Sequence, residues 1–376
     1  MKAPAIVPSP TVSRNAMVTL AIVASGAAIY WLADILTPLA MAIFLMIMID
    51  GVKRTLEERT PISRRWAGIA ALLLVIAAFA GSIWIIINGA AGFFKEADGV
   101  TSNIGPRIDQ ILIDGARMLN LAEAPTAQQL IAQLDVRSYI AIAARQAQGV
   151  VTGAFFVLVY LGFLLASQGG FRRKMVNMFP DGKMRGEALE VFHRVRGGVE
   201  GYIWVQTVTG AMICAAAWVL MRAVGLQNAE FWTFVIFIVG FIPVLGGAVA
   251  GLAPPLFALV QFESYWPAAV LLIGLQAILF ISGNLIQPRM QGDNQNIDPV
   301  VVLLSLAFWG KLWGVVGMFL STPLAVMAMA VLAEFRGSRW MAILLSGDGE
   351  PYADEDEAEV ARPKRSRVNP PQSKDG

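Results

Sequence analysis

The chain offers few side chains of the kinds that perform covalent chemistry or bind metals. It contains one histidine, His193, and one cysteine, Cys214, in 376 residues. Catalytic triads and zinc sites built on histidine and cysteine need partner residues that this inventory does not supply. The GxxxxGK[ST] loop that cradles nucleotide phosphates is also missing from the sequence. We therefore predict no enzymatic activity, no metal site and no cofactor.

Glycine and proline interrupt one long apolar run, and this pattern is the first to indicate a function. Residues 231–262 carry no charge, but Pro243, Gly246 and Gly247 interrupt them, and Pro254 is expected to do so again. Proline removes a backbone donor, and glycine lets the backbone leave the helical conformation. At membrane depth, backbone groups without a helical partner are tolerated only where they are buried in protein or face a water-filled cavity. The pattern predicts a broken helix whose ends bind a polar solute. A packing kink is the alternative.

A second group of polar residues follows the next apolar run. The members that could line a solute path are Asn284, Gln287, Pro288, Gln295, Asp298 and Pro299. The segment 299–333 then turns near Trp309–Gly314, which predicts a helical hairpin that is re-entrant or has one short arm. Ionisable groups within spans usually mark ion or proton pathways, and the long spans have none. Asp293 and Asp298, in the join, are therefore the only candidates for ion coupling.

Composition identifies the elements that must position these residues. Hydrophobic residues make up 56% of the chain and charged residues only 15%, against about 25% in soluble proteins. The mean hydropathy is +0.61. Long uncharged runs predict an all-α, polytopic membrane helix bundle of about eight spans, with broken or re-entrant helices in the C-terminal half. Basic residues are not concentrated on one face, so nucleic acid is not an expected partner.

Charge also predicts the orientation of the bundle. Lys and Arg are enriched in residues 53–65 and 171–200, which places both segments in the cytoplasm by the positive-inside rule. Residues 171–200 are read as an amphipathic helix at that face, and 89–148 as an external helical segment. The membrane domain is predicted to span 1–345. Residues 346–376 form a charged tail that is expected to be disordered and cytoplasmic, as is the N-terminus.

The last third of the chain resembles a known family. The segments that carry the resemblance are Phe241–Gly247, Asn284 with Gln287–Met290, Asp298–Leu306 and Phe308–Leu324. They look like the signature of the AI-2E (autoinducer-2 exporter) family, and the match covers roughly residues 15–345. The resemblance implies a multi-pass transporter of the bacterial inner membrane, homo-oligomeric with a pentamer as one option, that exports small polar molecules such as autoinducer 2. Lys311 stands where the family is expected to have a neutral residue.

Three functions remain open from the sequence. The first is a permease or exporter of a small polar solute through a cavity lined by broken helices, with membrane lipid as its surroundings. The second is a sodium/proton antiporter, which some members of the resembled family are described to be, using Asp293 or Asp298. The third is a non-transporting membrane scaffold that acts through the cytoplasmic helix and the charged tail.

Overall fold

The chain folds almost entirely into helices. The computed structural model describes residues 10–61, 63–103, 105–118, 136–178, 181–291, 296–335 and 337–350, and these ranges contain no strand. The helices are α1 (Pro10–Trp31), α2 (Ala33–Arg59), α3 (Arg64–Asn103), α4 (Gly105–Met118), α5 (Val136–Met178), α6 (Gly182–Val224), α7 (Ala229–Gly240), α8 (Leu245–Gln261), α9 (Trp266–Ile281), α10 (Gln287–Gln291), α11 (Pro299–Glu334) and α12 (Arg339–Leu345). The predicted all-α class is confirmed.

Six of these helices are long and apolar enough to cross a membrane. A crossing needs about 20 apolar residues. The segments that qualify among the described residues are Ala33–Arg59, Arg64–Ile85, Val151–Gly170, Ala188–Val224, Trp266–Met290 and Pro299–Glu334. Three shorter apolar helices accompany them, namely Ala16–Trp31, α7 and α8. The chain is therefore a polytopic membrane helix bundle, as the sequence predicted.

Buried side chains form two apolar cores that share α6. The first core joins α2, α3, α5 and the returning half of α11 to the first part of α6, at Val199 and Tyr202. The second core joins α7, α8 and α9 to the last part of α6, at Cys214 and Met221. The boundary between the two cores therefore lies along α6, between Tyr202 and Cys214.

The first predicted interruption is present and the second is not. α7 ends at Gly240 and α8 begins at Leu245, so the chain leaves the helix around Pro243 as expected. The expectation of another break at Pro254 was wrong, because α8 continues through this residue and Pro255. Both prolines are buried, and α8 packs along α9. This packing holds the helix together although two backbone donors are missing, which is common in membrane helices.

The segment after the polar join folds back on itself. α11 bends at Gly314, whose φ of 62° and ψ of −143° are accessible only to glycine. The Ser305 hydroxyl donates to the Ser321 carbonyl at 2.8 Å, so residues on either side of the bend lie against each other. The outgoing arm, 299–313, is about 22 Å long and too short to cross the hydrocarbon, which is about 30 Å thick. The predicted hairpin with one short arm is thus observed.

The segments outside the predicted spans are mostly continuations of long helices. The structure joins most of 171–200 and the next span into α6, so this segment is not a separate amphipathic helix. Residues 89–148 include the end of α3, all of α4 and the start of α5, while 119–135 lie outside the described residues. The tail beyond 350 also lies outside them. The cytoplasmic and external locations of these segments remain predictions.

A cluster of ion pairs joins α2 to α6. The Glu200 side chain is only 5% exposed. Its Oε1 accepts a hydrogen bond from Arg196 Nε at 2.7 Å. Arg54 approaches its Oε2 at 2.7 Å, an ion pair that is close but poorly aligned for a hydrogen bond. Arg196 also contacts Asp50 at 3.2 Å. Two helices of the first core are therefore held together by a cluster of four charged side chains, three of which surround the buried carboxylate of Glu200.

Glu200→Gln is expected to lower the free energy of unfolding by about 2–3 kcal/mol. Removing one member of a buried pair costs about 3–5 kcal/mol, but solvent screens Arg54 and Arg196 and lowers this figure. Glu190→Gln is the matched control, because Glu190 is 63% exposed and pairs with Arg194 one turn away on the same helix. Thermal unfolding in detergent measures the loss of stability in both variants. Equal losses for the two variants would contradict a structural role for the buried cluster.

Candidate functional site

A cavity of about 550 Å³ opens where the two cores meet. Its walls come from α6, from the break between α7 and α8, from the turn that follows α9 and from both arms of α11. Small-molecule sites typically occupy clefts of about 300–1,000 Å³, and helix bundles build them between helices. The position and size of this cavity make it the candidate functional site.

The break between α7 and α8 contains a strained turn. Val244 has a φ of 65° and a ψ of −51°, and the Leu245 N–H donates to the Pro243 carbonyl at 2.7 Å. This is a γ-turn with positive φ, which is rare and strained, and a β-branched residue is an outlier there. The Val244 side chain is 64% exposed, so the strain does not serve to bury it. Strain of about 1–3 kcal/mol of this kind is concentrated at functional sites.

Polar side chains of α6 support the broken helix. Tyr202, Gln206 and Thr209 lie on one face of α6, at spacings of four and three residues. The Tyr202 hydroxyl donates to the Phe241 carbonyl at 3.1 Å, and Gln206 Nε2 donates to the Gly240 carbonyl at 2.6 Å. These side chains replace helical donors that the end of α7 lacks. The carbonyls of Gly240 and Phe241, at the broken end of α7, therefore already have partners within the protein.

A π-helical turn follows α9 and forms another wall. It spans Ser282–Ile286, and the Gln287 N–H donates to the Ser282 carbonyl five residues earlier. Such turns occur frequently at functional sites because they insert one residue into an otherwise regular helix. Ser282, Gly283 and Gln287 all line the cavity. Ser282 is only 4% exposed, so its hydroxyl belongs to the interior of the bundle.

The hairpin α11 closes the cavity with residues from both arms. Pro299 and Val302 line it from the outgoing arm, and Thr322 and Val326 line it from the returning arm. Asp298 caps the start of the helix, where its Oδ1 accepts a hydrogen bond from the Val300 N–H at 2.7 Å. The carboxylate is therefore used to begin α11, and Asp298 is not among the residues that line the cavity.

The structure brings together half of the residues that the sequence predicted for the solute path. Those that line the cavity are Pro243, Gly246, Gly247, Gln287 and Pro299. Four others do not line it. Pro254 is buried inside α8, and Asp298 caps α11. Asn284 and Pro288 are both exposed, and the Asn284 side chain donates to the Phe280 carbonyl. Gln295 and Asp293 lie outside the described residues.

Several polar residues of the cavity were missed at the sequence level. They are Tyr202, Gln206, Thr209, Ser282 and Thr322. The first three could have been found, because their helical spacing on one face of an apolar run marks a wet or buried polar stripe. Nothing comparable marks Ser282, a single hydroxyl residue among apolar and small neighbours, or Thr322, which follows Ser321 in an otherwise apolar stretch of α11. Whether these two residues line a cavity depends on which helices pack against them.

The cavity lining is mostly apolar, and the polar groups that it contains carry no charge. Among the described residues, no Asp, Glu, Lys, Arg or His side chain lines it. The same part of the chain contains no group of three or more His, Cys, Asp and Glu residues arranged to hold a metal ion. Its polar groups are hydroxyls, amides and backbone N–H groups, which form hydrogen bonds and carry no formal charge.

Comparison with known proteins places this architecture among transporters. A family model described as "AI-2E family transporter" matches residues 20–337. The AI-2 transport protein TqsA of Escherichia coli is 31% identical over 160 residues, which cover 43% of this chain and 46% of TqsA. A Haemophilus influenzae protein that is named in general terms as a transport protein is 26% identical over 326 residues, 85% of this chain and 92% of that protein. The Escherichia coli protein YhhT, with the same general name, is 24% identical over 341 residues, 89% of this chain and 94% of its own.

Proposed function

Because the chain belongs to the AI-2E transporter family, as its sequence signature indicated, we propose that it is a permease that exports a small, neutral polar organic molecule. In this proposal the solute resembles autoinducer 2, the AI-2 for which the relative TqsA is named, and it passes through the cavity between the two cores. The protein is a multi-pass component of the bacterial inner membrane with both termini in the cytoplasm. It has no enzymatic activity and acts as a homo-oligomer, with a pentamer as one option.

The observation that carries the proposal is that the polar groups in the mostly apolar lining of the cavity are all uncharged. A cation or an anion that leaves water needs an opposite charge or a dense set of dipoles to replace its hydration. A neutral polar solute needs only enough hydrogen bonds to match the few that it loses. The hydroxyls and amides supplied by α6, the π-helical turn and α11 are suited to the second task.

The direct test is transport by the purified protein in lipid vesicles. Vesicles that contain the protein are expected to release autoinducer 2 faster than protein-free vesicles, and to show no sodium-dependent change of internal pH. Release at the rate of protein-free vesicles, together with pH-dependent sodium exchange, would replace this proposal with the antiporter alternative.

Asp298→Asn is expected to leave solute release unchanged, within about a factor of two. Asparagine caps helices about as well as aspartate, so this substitution removes the charge and keeps the start of α11. Asp298→Ala is the comparison variant, since it removes the cap as well and should lower the free energy of unfolding by about 1 kcal/mol. Sodium exchange that is present in the wild-type protein and lost in Asp298→Asn would support the antiporter mechanism.

The scaffold alternative is tested by removing the charged tail at a position that the structure identifies. Asn296 holds the chain that precedes the tail, where its Oδ1 accepts a hydrogen bond from the Gly347 N–H at 3.0 Å and its Nδ2 donates to the Glu350 carbonyl at 2.9 Å. A deletion should therefore begin at residue 351, so that these contacts at the base of α11 persist. We expect the truncated protein to keep full solute release.

A further inference from the structure

An arginine at the end of α2 lies against an exposed aromatic ring of α6. The guanidinium carbon of Arg59 is 5.7 Å from the centre of the Trp204 ring, within the range of about 6 Å in which a cation is attracted to a ring face. Both side chains are exposed, and Trp204 is 45% exposed. Among the described residues, no carboxylate or carbonyl pairs with Arg59. Its N–H donors are therefore available to a partner outside the chain.

Tryptophan marks this end of the bundle as a membrane surface. Trp204 lies near the start of the uncharged run 201–221, and Trp66, which is 65% exposed, lies near the start of α3. Arg59 is the last residue of α2, and only a short turn separates it from α3. Tryptophan is enriched where apolar spans meet the lipid head groups. The contact between Arg59 and Trp204 is therefore expected to lie at head-group level.

The same surface carries an excess of positive charge. Residues 53–65 contain five basic and two acidic side chains, and Arg54 is the basic one that pairs with the buried Glu200. Arg64 is 86% exposed, and the nearest carboxylate within the described ranges is 3.9 Å away. Arg65 is also exposed, without an ion pair in that part of the chain. Basic clusters next to a span attract anionic lipids, which the cytoplasmic leaflet predicted for this turn contains.

We propose that Arg59 and Trp204 form a binding site for the phosphate head group of an anionic lipid, which links α2 to α6. The planar guanidinium offers a fork of donors that matches phosphate oxygens, and the ring supports its face. The exposed Trp204 ring suits a ligand that combines a phosphate with an apolar part, as a lipid does and a free phosphate ion does not. Arg64 and Arg65 add attraction at longer range. The lipid site is independent of the solute that passes through the cavity.

The experiment titrates the full-length protein in detergent with phosphatidylglycerol, and with phosphatidylcholine as the lipid without net charge, and counts bound lipids by native mass spectrometry. Wild-type protein should bind phosphatidylglycerol more tightly than phosphatidylcholine. Arg59→Gln should lower the affinity for phosphatidylglycerol about fivefold, the value of one basic residue at an anionic surface. Trp204→Leu keeps the charge, removes the ring and should also lower this affinity. Arg222→Gln is the matched control, because Arg222 is 59% exposed in the last turn of the same helix, α6, and should change nothing.

Three results would overturn the lipid site. They are equal binding of the two lipids by the wild-type protein, an unchanged affinity for phosphatidylglycerol in Arg59→Gln, and an equal loss of affinity in Arg222→Gln. Thermal unfolding adds a test of the ligand class, because inorganic phosphate that raised the unfolding midpoint as much as phosphatidylglycerol would assign Arg59 to a soluble anion and not to a lipid. If Arg59→Gln fails to fold, Trp204→Leu decides the question, and wild-type affinity in that variant would also overturn the site.

Discussion

Gly317→Ala is expected to abolish transport and to lower the free energy of unfolding by at least about 3 kcal/mol, at the upper end of what overpacking costs. A Cβ at this position would lie 2.1 Å from the Trp309 carbonyl oxygen and 2.7 Å from the carbonyl carbon. Both are backbone atoms of the opposite arm of the hairpin, so no side-chain rotation relieves the clash. The two arms of α11 would have to separate, and both of them line the cavity.

Gly310→Ala is the matched control for this prediction. Gly310 lies on the outgoing arm, and its Cβ would meet only the Met318 side chain, at 3.0 Å. Methionine has three rotatable bonds and adapts to small changes in its surroundings, so we expect a loss below about 1 kcal/mol. Thermal unfolding and vesicle transport measured on both variants test the hairpin. Similar behaviour of the two would contradict the close approach of the arms at Gly317.

The sequence predicted features that depend on backbone chemistry within one segment. The break around Pro243 and the return of the chain after Trp313 follow from proline and glycine, whose conformational preferences act locally. The same rule failed at Pro254, because the packing of α8 along α9 outweighs the two missing donors. Local chemistry therefore indicates where a helix is free to break, and the neighbouring helix decides whether it does.

The site was predictable only in part because its polar groups come from distant segments. Gln287 and Pro299 stand out in the sequence as polar or helix-starting residues, and both line the cavity. Tyr202 acts on a carbonyl 39 residues later in the chain, and that pairing depends on the packing of α6 against α7. Thr322 follows Ser321 in an otherwise apolar part of α11, and only the packing of the neighbouring helices decides that Thr322, and not Ser321, lines the cavity.

The adjacent glycines Gly246 and Gly247 give the sharpest test of the broken helix, because the sequence treats them alike and the structure does not. A Cβ on Gly246 would lie 2.7 Å from the Val239 carbonyl oxygen and 2.8 Å from the Gly240 Cα, both backbone atoms at the end of α7. Gly246→Ala should therefore push α8 away from α7 and strain the contact between Gln206 and the Gly240 carbonyl. We expect a loss of about 2–3 kcal/mol in unfolding free energy and at least a tenfold loss of solute release.

Gly247→Ala separates the effect on the fold from the effect on the cavity. Its added methyl group meets nothing within 4 Å, and alanine is a better helix former than glycine by up to about 1 kcal/mol, so the variant should unfold at or above the wild-type temperature. Gly247 lines the cavity, so any effect of the added methyl group should appear in the rate of solute release and not in stability. If Gly246→Ala were as stable and as active as Gly247→Ala, the close contact between α7 and α8 would be disproved. A loss of stability confined to Gly246→Ala shows that this single backbone contact holds the broken helix in the conformation that forms the cavity wall.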